Sequence, residues 1–192
     1  MTSHLVDGRP MPDRIAGHRA LEFCNTMALW GRPDEHEYLT DYRAAVIWAR
    51  HHDVITPAES KQLVRASPAR QRDTLRRLRA LRSALYYAAI ADGPLDEVHD
   101  FVARAVARSQ YVPDGPALRL HVPFGPAVLV DRVALDIHHL LETYGTSAVG
   151  LCASEACGWV FLDPAHRRRW CVMAVCGNRA KPAATPNEHE PD

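Results

Sequence analysis

Four cysteines near the end of the 192-residue chain constrain its fold more than any other feature. Cys152 and Cys157 are separated by four residues, Cys171 and Cys176 by four, and thirteen residues lie between the pairs. Two close pairs on a short linker are what a tetrahedral thiolate site needs. Each pair supplies two ligands from one turn, and the linker closes the cage. Gly158, directly after Cys157, permits a tight turn, and 159–162 (WVFL) reads as a small strand or hairpin arm. The segment 167–181 reads as a helix, so Cys171 and Cys176 are expected on a helix start and its next turns. A redox dithiol normally uses a Cys-x-x-Cys pair, and neither pair has that spacing. An iron–sulfur cluster accepts the same four thiolates, and spacing alone does not separate it from zinc. Structural zinc is the expected occupant. A closed four-thiolate site leaves no position for water, so catalysis by the metal is not expected.

The first twenty residues show no apolar core of signal-peptide type, and no stretch approaches the ~20 apolar residues of a membrane span. The chain therefore reads as cytoplasmic, which disfavours stable disulfides and leaves metal binding for the thiols. Charge sums to zero, arguing against a general nucleic-acid or membrane coat. The balance is uneven along the chain. Residues 1–150 carry 18 bases and 18 acids; residues 152–181 carry five bases and two acids; residues 182–192 carry three acids and no base. Positive charge is concentrated beside the cysteines.

Upstream, the sequence predicts a mainly α fold with small β elements. Residues 17–31 read as a short helix ended by Gly31, and 38–53 as a second with Thr40 as its cap. Thr56, Pro57 and Glu59 form a strong helix start. Residues 67–93 are the clearest helix, with Leu75, Leu78, Leu81 or Arg82, and Leu85 on one stripe and its arginines expected on a solvated face rather than a nucleic-acid surface. A helix over 94–110, a strand over 117–123, a helix over 130–145 ended by Gly145, and a short strand over 147–152 complete the reading. The expected organisation is a helical domain over 1–145, a cysteine module over 146–181 and a disordered tail over 182–192.

The module closely resembles the CGNR zinc finger. The residues that carry the likeness are Cys157-Gly158-Trp159, Phe161, Asp163, Arg168-Arg169-Trp170-Cys171, Met173, Cys176-Gly177-Asn178-Arg179 and Lys181. The opening GHRALEFCNT (17–26) resembles the start of the ABATE domain, which precedes this finger in bacterial proteins described as stress-induced transcription regulators. The resemblance implies Zn2+ held by Cys152, Cys157, Cys171 and Cys176. It also implies a DNA-binding regulator whose N-terminal domain senses a ligand.

Arginine's planar fork suits phosphate and guanine. Arg167, Arg168, Arg169, Asn178, Arg179 and Lys181 are the candidate DNA contacts. Asn178 and Arg179 are equally well placed to brace the cage, and Asp163 to pair with an arginine. Trp159 and Trp170 are expected in the module's core. Pro182 interrupts the basic segment, so few phosphates are reached, and binding by a monomer is expected to be weak without a homodimer or a partner. In the opening motif, Glu22 and Asn25 share a helix face beside His18, which makes the three a candidate ligand grip. Bonding to neighbouring helix ends is the competing reading. The adjacent pairs His51-His52 and His138-His139 point about 100° apart on a helix and do not predict a metal site. No phosphate loop, nucleophile elbow or spaced carboxylate pair supports an enzyme. The alternative function is a small-molecule-binding or catalytic helical domain for which the finger is only structural or an interaction module.

Overall fold

The computed structural model describes residues 2–179. Lys181 and the tail 182–192 lie outside them. The fold is mainly α with four two-stranded antiparallel sheets. Two strands, β1 (Ser3–Val6) and β2 (Arg9–Pro12), open the chain. Their two-residue turn, Asp7-Gly8, has φ of 49° and 75°, the left-handed pair that suits the twist of a tight hairpin.

Helix α1 (Arg19–Cys24) is less than half as long as the sequence suggests. It stops at Asn25, and the chain turns into β3 (Met27–Ala28), which pairs with β4 (His36–Glu37). Residues 27–29 take their bonds from this hairpin and from the carbonyl of Cys157, which accepts from the Leu29 amide. Helix α2 (Tyr42–His51) is capped by Asp41, one residue beyond the expected Thr40. Thr56, Pro57 and Glu59 form a full capping box on α3 (Pro57–Leu63).

The 23-residue α4 (Pro68–Ile90) runs from the Ser67 cap and packs on α1, α2, α5 (Asp96–Ala107) and α6 (Val128–Tyr144). Leu78, Leu81 and Leu85 lie on its buried stripe, as their spacing predicts. Arg82 is buried on the same helix. Trp48 and Phe23 meet at 5.3 Å between ring centroids in the main core. Between α5 and α6, β5 (Gln110–Asp114) pairs with β6 (Ala117–His121). The helix expected over 94–110 ends at Ala107, and Gln110 instead opens β5, where it pairs with His121. A single 3-10 turn follows α6. Then β7 (Val149–Leu151) pairs with β8 (Val160–Leu162), the arm that carries the cysteine module. No helix among the described residues is long and apolar enough to cross a membrane.

Candidate metal centre and its docking site

Each cysteine reaches the cage from an irregular turn. Cys152 follows β7 and donates its amide to the Trp159 carbonyl. Cys157 closes a turn on Ser154, 2.9 Å away. Gly158 then takes φ of +71°, and a Cβ there would stand 3.2 Å from the amides of Leu29 and Trp30. Glycine is required both for the conformation and for this approach.

The second pair does not sit on a helix start. Residues 164–172 are non-helical, and a single π turn, Met173–Gly177, carries Cys176. Two contacts hold the segment open. The Asp163 carboxylate accepts from the backbone amides of Arg167 and Arg168 at 3.0 and 2.8 Å, and the Arg169 carbonyl accepts from Ala153 at 3.0 Å. Asp163 is thus spent on backbone amides rather than on an arginine side chain.

The four sulfurs lie within 4.8 Å of one another, and all four residues are buried. Cys157 Sγ is 3.6 Å from Cys171 Sγ, which is 3.5 Å from Cys176 Sγ. A disulfide needs ~2.05 Å, and all of these thiols are free. A tetrahedral ion with metal–sulfur bonds of ~2.3 Å has sulfur–sulfur edges of ~3.8 Å. The cage fits such an ion. Hydrogen bonds from Cys157 and Cys171 favour the thiolate at Cys152, and the same bonds hold Cys157 and Cys171 as thiols. Positive charge at the centre is what lets such a cluster ionise together. Cys24, by contrast, sits in the main core, where burial pushes its thiol up to about 12.

The cage is not a free-standing module. Its apolar shell combines Trp159 and Phe161 with Ala28 and Tyr38 of the helical domain, and Ile15 packs against it. The outer edge of β8 is covered by the opening motif. Asn25 Nδ2 donates to the Val160 carbonyl at 2.9 Å, and the Val160 amide donates to Asn25 Oδ1 at 2.8 Å. Leu162 donates to the Ala16 carbonyl at 2.7 Å, and Ala16 in turn donates to Glu22 Oε1 at 2.7 Å. From α4, the Tyr86 hydroxyl donates to the Gly158 carbonyl. His18 caps α1 and stacks on His139, with 3.1 Å between Nε2 and Nδ1. The structure therefore does not gather His18, Glu22 and Asn25 around one cavity. Asn25 and Glu22 face the cysteine module, and His18 faces α6.

The CGNR finger matches residues 149–187, and the ABATE family, described as "Putative stress-induced transcription regulator", matches 17–155. The chain belongs to the ABATE family. The two matches overlap at 149–155, where β7 enters the cage, so the ABATE unit and its finger share a strand. Curated proteins give no significant match.

The residues singled out for DNA divide by what they touch. Arg168 braces the finger: it donates to the carbonyls of Cys171 at 2.8 Å and Ile15 at 3.2 Å, and lies 4.2 Å above the Phe161 ring. Asn178 donates to the Ala174 carbonyl within its own turn. Arg169 lies over Trp170, and Arg167, Arg169 and Arg179 are exposed. Trp159 is fully buried, and Trp170 packs against the cage shell.

Sequence reasoning missed Arg82. It is 1% exposed and pairs with Glu37 and Thr26, which fixes the β3–β4 hairpin under the cage. An arginine at an apolar-stripe position of α4 was the available signal.

Proposed function

We propose that the chain is a cytoplasmic transcription regulator that responds to stress, and that the ion in its cage is Zn2+. Four thiolates in a closed, buried tetrahedron suit a borderline-soft ion without redox chemistry. The metal would hold Cys152, Cys157, Cys171 and Cys176 together and supply rigidity rather than catalysis. DNA contact would then fall to the side chains that the finger does not use for itself. The observation that carries this reading is that Arg167, Arg169 and Arg179 are exposed in a segment whose four cysteines are buried. Arg167 to Arg169 also border, with Trp170 and Met173, an open cavity of 460 Å³. Met173 is 55% exposed.

Three phosphate contacts give a plot of log K against log salt with a slope of roughly −3. Affinity of a single chain is therefore modest, and two chains on one duplex are the expected binding form. The N-terminal domain would sense a ligand. It would act on the finger through α1, which bears Asn25 at its C-terminal end.

Fluorescence anisotropy with duplex DNA of random sequence, measured across a salt series, tests the reading. Arg167→Ala and Arg169→Ala should each lower the slope by about one and leave metal content unchanged. Binding that does not depend on salt, or that both variants retain in full, sinks it. Arg168→Ala is the wrong probe, since it loosens the finger itself.

A further inference from the structure

We infer that a cavity outside the finger is a binding site for a small organic carboxylate. It measures 420 Å³ and is bounded by α1, the end of α2, the α2–α3 connection, β6 and α6. That volume is in the usual range for a small-molecule site, roughly 300–1,000 Å³. The inference rests on the sensing half of the proposed function and not on DNA binding. None of the lining residues belongs to the cysteine segment.

Four arginines line the cavity, and they are of two kinds. Arg132 and Arg19 are locked. Arg132 holds both oxygens of Glu59 at 2.8 Å and donates to the carbonyls of Val54 and Val122. Arg19 grips both oxygens of Asp136, with its Nε at 2.6 Å. Their fork geometry is used up, and they form a rigid polar base.

Arg50 and Arg119 come from two different elements, the end of α2 and β6. Arg50 has one hydrogen-bonded partner among the described residues, Asp7 in the β1–β2 turn. Arg119 makes no side-chain hydrogen bond among them and has only an ionic contact of 3.5 Å with Asp114. The side chains of Asp7 and Asp114 are 49% and 64% exposed. Such surface pairs contribute little, ~0–1 kcal/mol, and a ligand carboxylate can replace them. Two guanidinium groups with spare donors thus meet one cavity from two elements.

The rest of the lining sets the ligand class. Val54, Ile55, Leu120 and Leu135 offer an apolar strip for an organic body. Asp53 and Asp136 also line the cavity, and like-charge repulsion there weighs more on a dianion such as phosphate than on a monoanionic carboxylate. Arg19 opens the same short helix that carries Glu22 and ends at the Asn25 cap. A ligand here therefore touches the element that docks the finger.

The test is a thermal-shift and calorimetric titration of the full chain, without DNA. The probes are benzoate, hexanoate, their neutral amides and inorganic phosphate. Benzoate or hexanoate should raise the melting temperature saturably, and the amides should not. Arg50→Gln plus Arg119→Gln should weaken carboxylate binding at least tenfold, and each single variant several-fold. Far-UV dichroism and metal content check that each variant is folded, and the single variants keep the test open if the double one is not. Failure of both carboxylates, equal binding of the amides, or unchanged binding in the folded variants overturns the inference. Stabilisation by phosphate alone overturns the organic-acid assignment. DNA binding with no carboxylate binding sinks this site and leaves the finger reading intact.

Discussion

Asn25 and Val160, 135 residues apart, exchange two hydrogen bonds of 2.9 and 2.8 Å. The Asn25 amide presents one donor and one acceptor at the spacing of a peptide, so it replaces the missing strand on the outer edge of β8. This seals an edge that would otherwise expose backbone groups beside the cage. Asn25→Ala should leave both Val160 groups buried and unpaired, at about 1–3 kcal/mol each. Chemical denaturation should show the loss, and amide exchange at Val160 should accelerate. Asn25→Asp keeps the shape but loses the donor, so it should not rescue. Unchanged exchange in Asn25→Ala would show that the clamp is dispensable.

Removing the metal should loosen the finger and spare the helices. The main core has its own apolar cluster, separate from the one around the cysteines. Cys171→Ser should abolish stoichiometric zinc, which elemental analysis should find at one per chain in the wild type. Chelation should change tryptophan emission through Trp159 and Trp170, with little loss of helical dichroism. Metal retained at full stoichiometry by Cys171→Ser would exclude the four-thiolate cage.

Arg82→Ala should be among the most damaging single changes. It removes two hydrogen bonds from the Glu37 carboxylate, which keeps Arg79 Nε at 3.3 Å and the Leu39 amide at 2.8 Å, and it leaves Thr26 Oγ1 without its buried donor. Breaking a fully buried pair costs about 3–5 kcal/mol, and the partners that Glu37 keeps put this loss at or below the lower end of that range. Equilibrium unfolding of the variant against wild type measures it. Because Ala28 lies in the cage shell, zinc affinity should fall too. A loss below 1 kcal/mol would show that the pair is screened by solvent.

Acid should destabilise the fold partly through His52. This residue is 4% exposed and stacks on Trp48 at 4.7 Å. Burial pulls it from its ordinary 6.5 to about 3, and Arg14, His51, Arg19 and His4 push the same way. The unfolded chain therefore binds the extra proton between these values. Its contribution is complete above about 6.5 and is lost as pH falls toward 3, at no more than ~1.4 kcal/mol per pH unit. His52→Phe keeps the stacking and removes the titration. The difference between variant and wild-type stability should grow below pH 6.5, while acid loss of zinc affects both proteins. Parallel pH profiles would rule His52 out.

The glycine at 158 offers another handle on docking. Gly158→Ala combines a positive φ with a Cβ pressed on the Leu29 and Trp30 amides. A cost of about 1–3 kcal/mol is expected, read as a lower melting temperature. A wild-type melting temperature would mean that the finger and the helical domain are less tightly apposed.

Much of the framework was legible in the sequence because its signals are local. The capping box at Thr56 and Glu59, the Ser67-Pro68 start of α4 and the Gly145 stop of α6 act within one or two turns. The cysteine pairs work in the same way, since a turn fixes which thiols can share an ion. The early end of α1 and the open chain before Cys171 were not legible. There, helical periodicity is overruled by distant bonds: Leu29 to Cys157, and Ala153 to Arg169. The histidines make the same point. The neighbours His51-His52 and His138-His139 do not act as units, and His51 and His139 instead meet His4 and His18 from other elements.

The sequence by itself determined most of the helices, the caps of α3 and α4 and the grouping of the four cysteines, because propensity, capping and chelate spacing depend on residues near in the chain. Only the tertiary structure decided what Glu22, Asn25, Arg82 and Arg168 do. Their hydrogen bonds close across tens of residues, and such pairings exist only once packing has brought the partners together and excluded the water that would otherwise satisfy them.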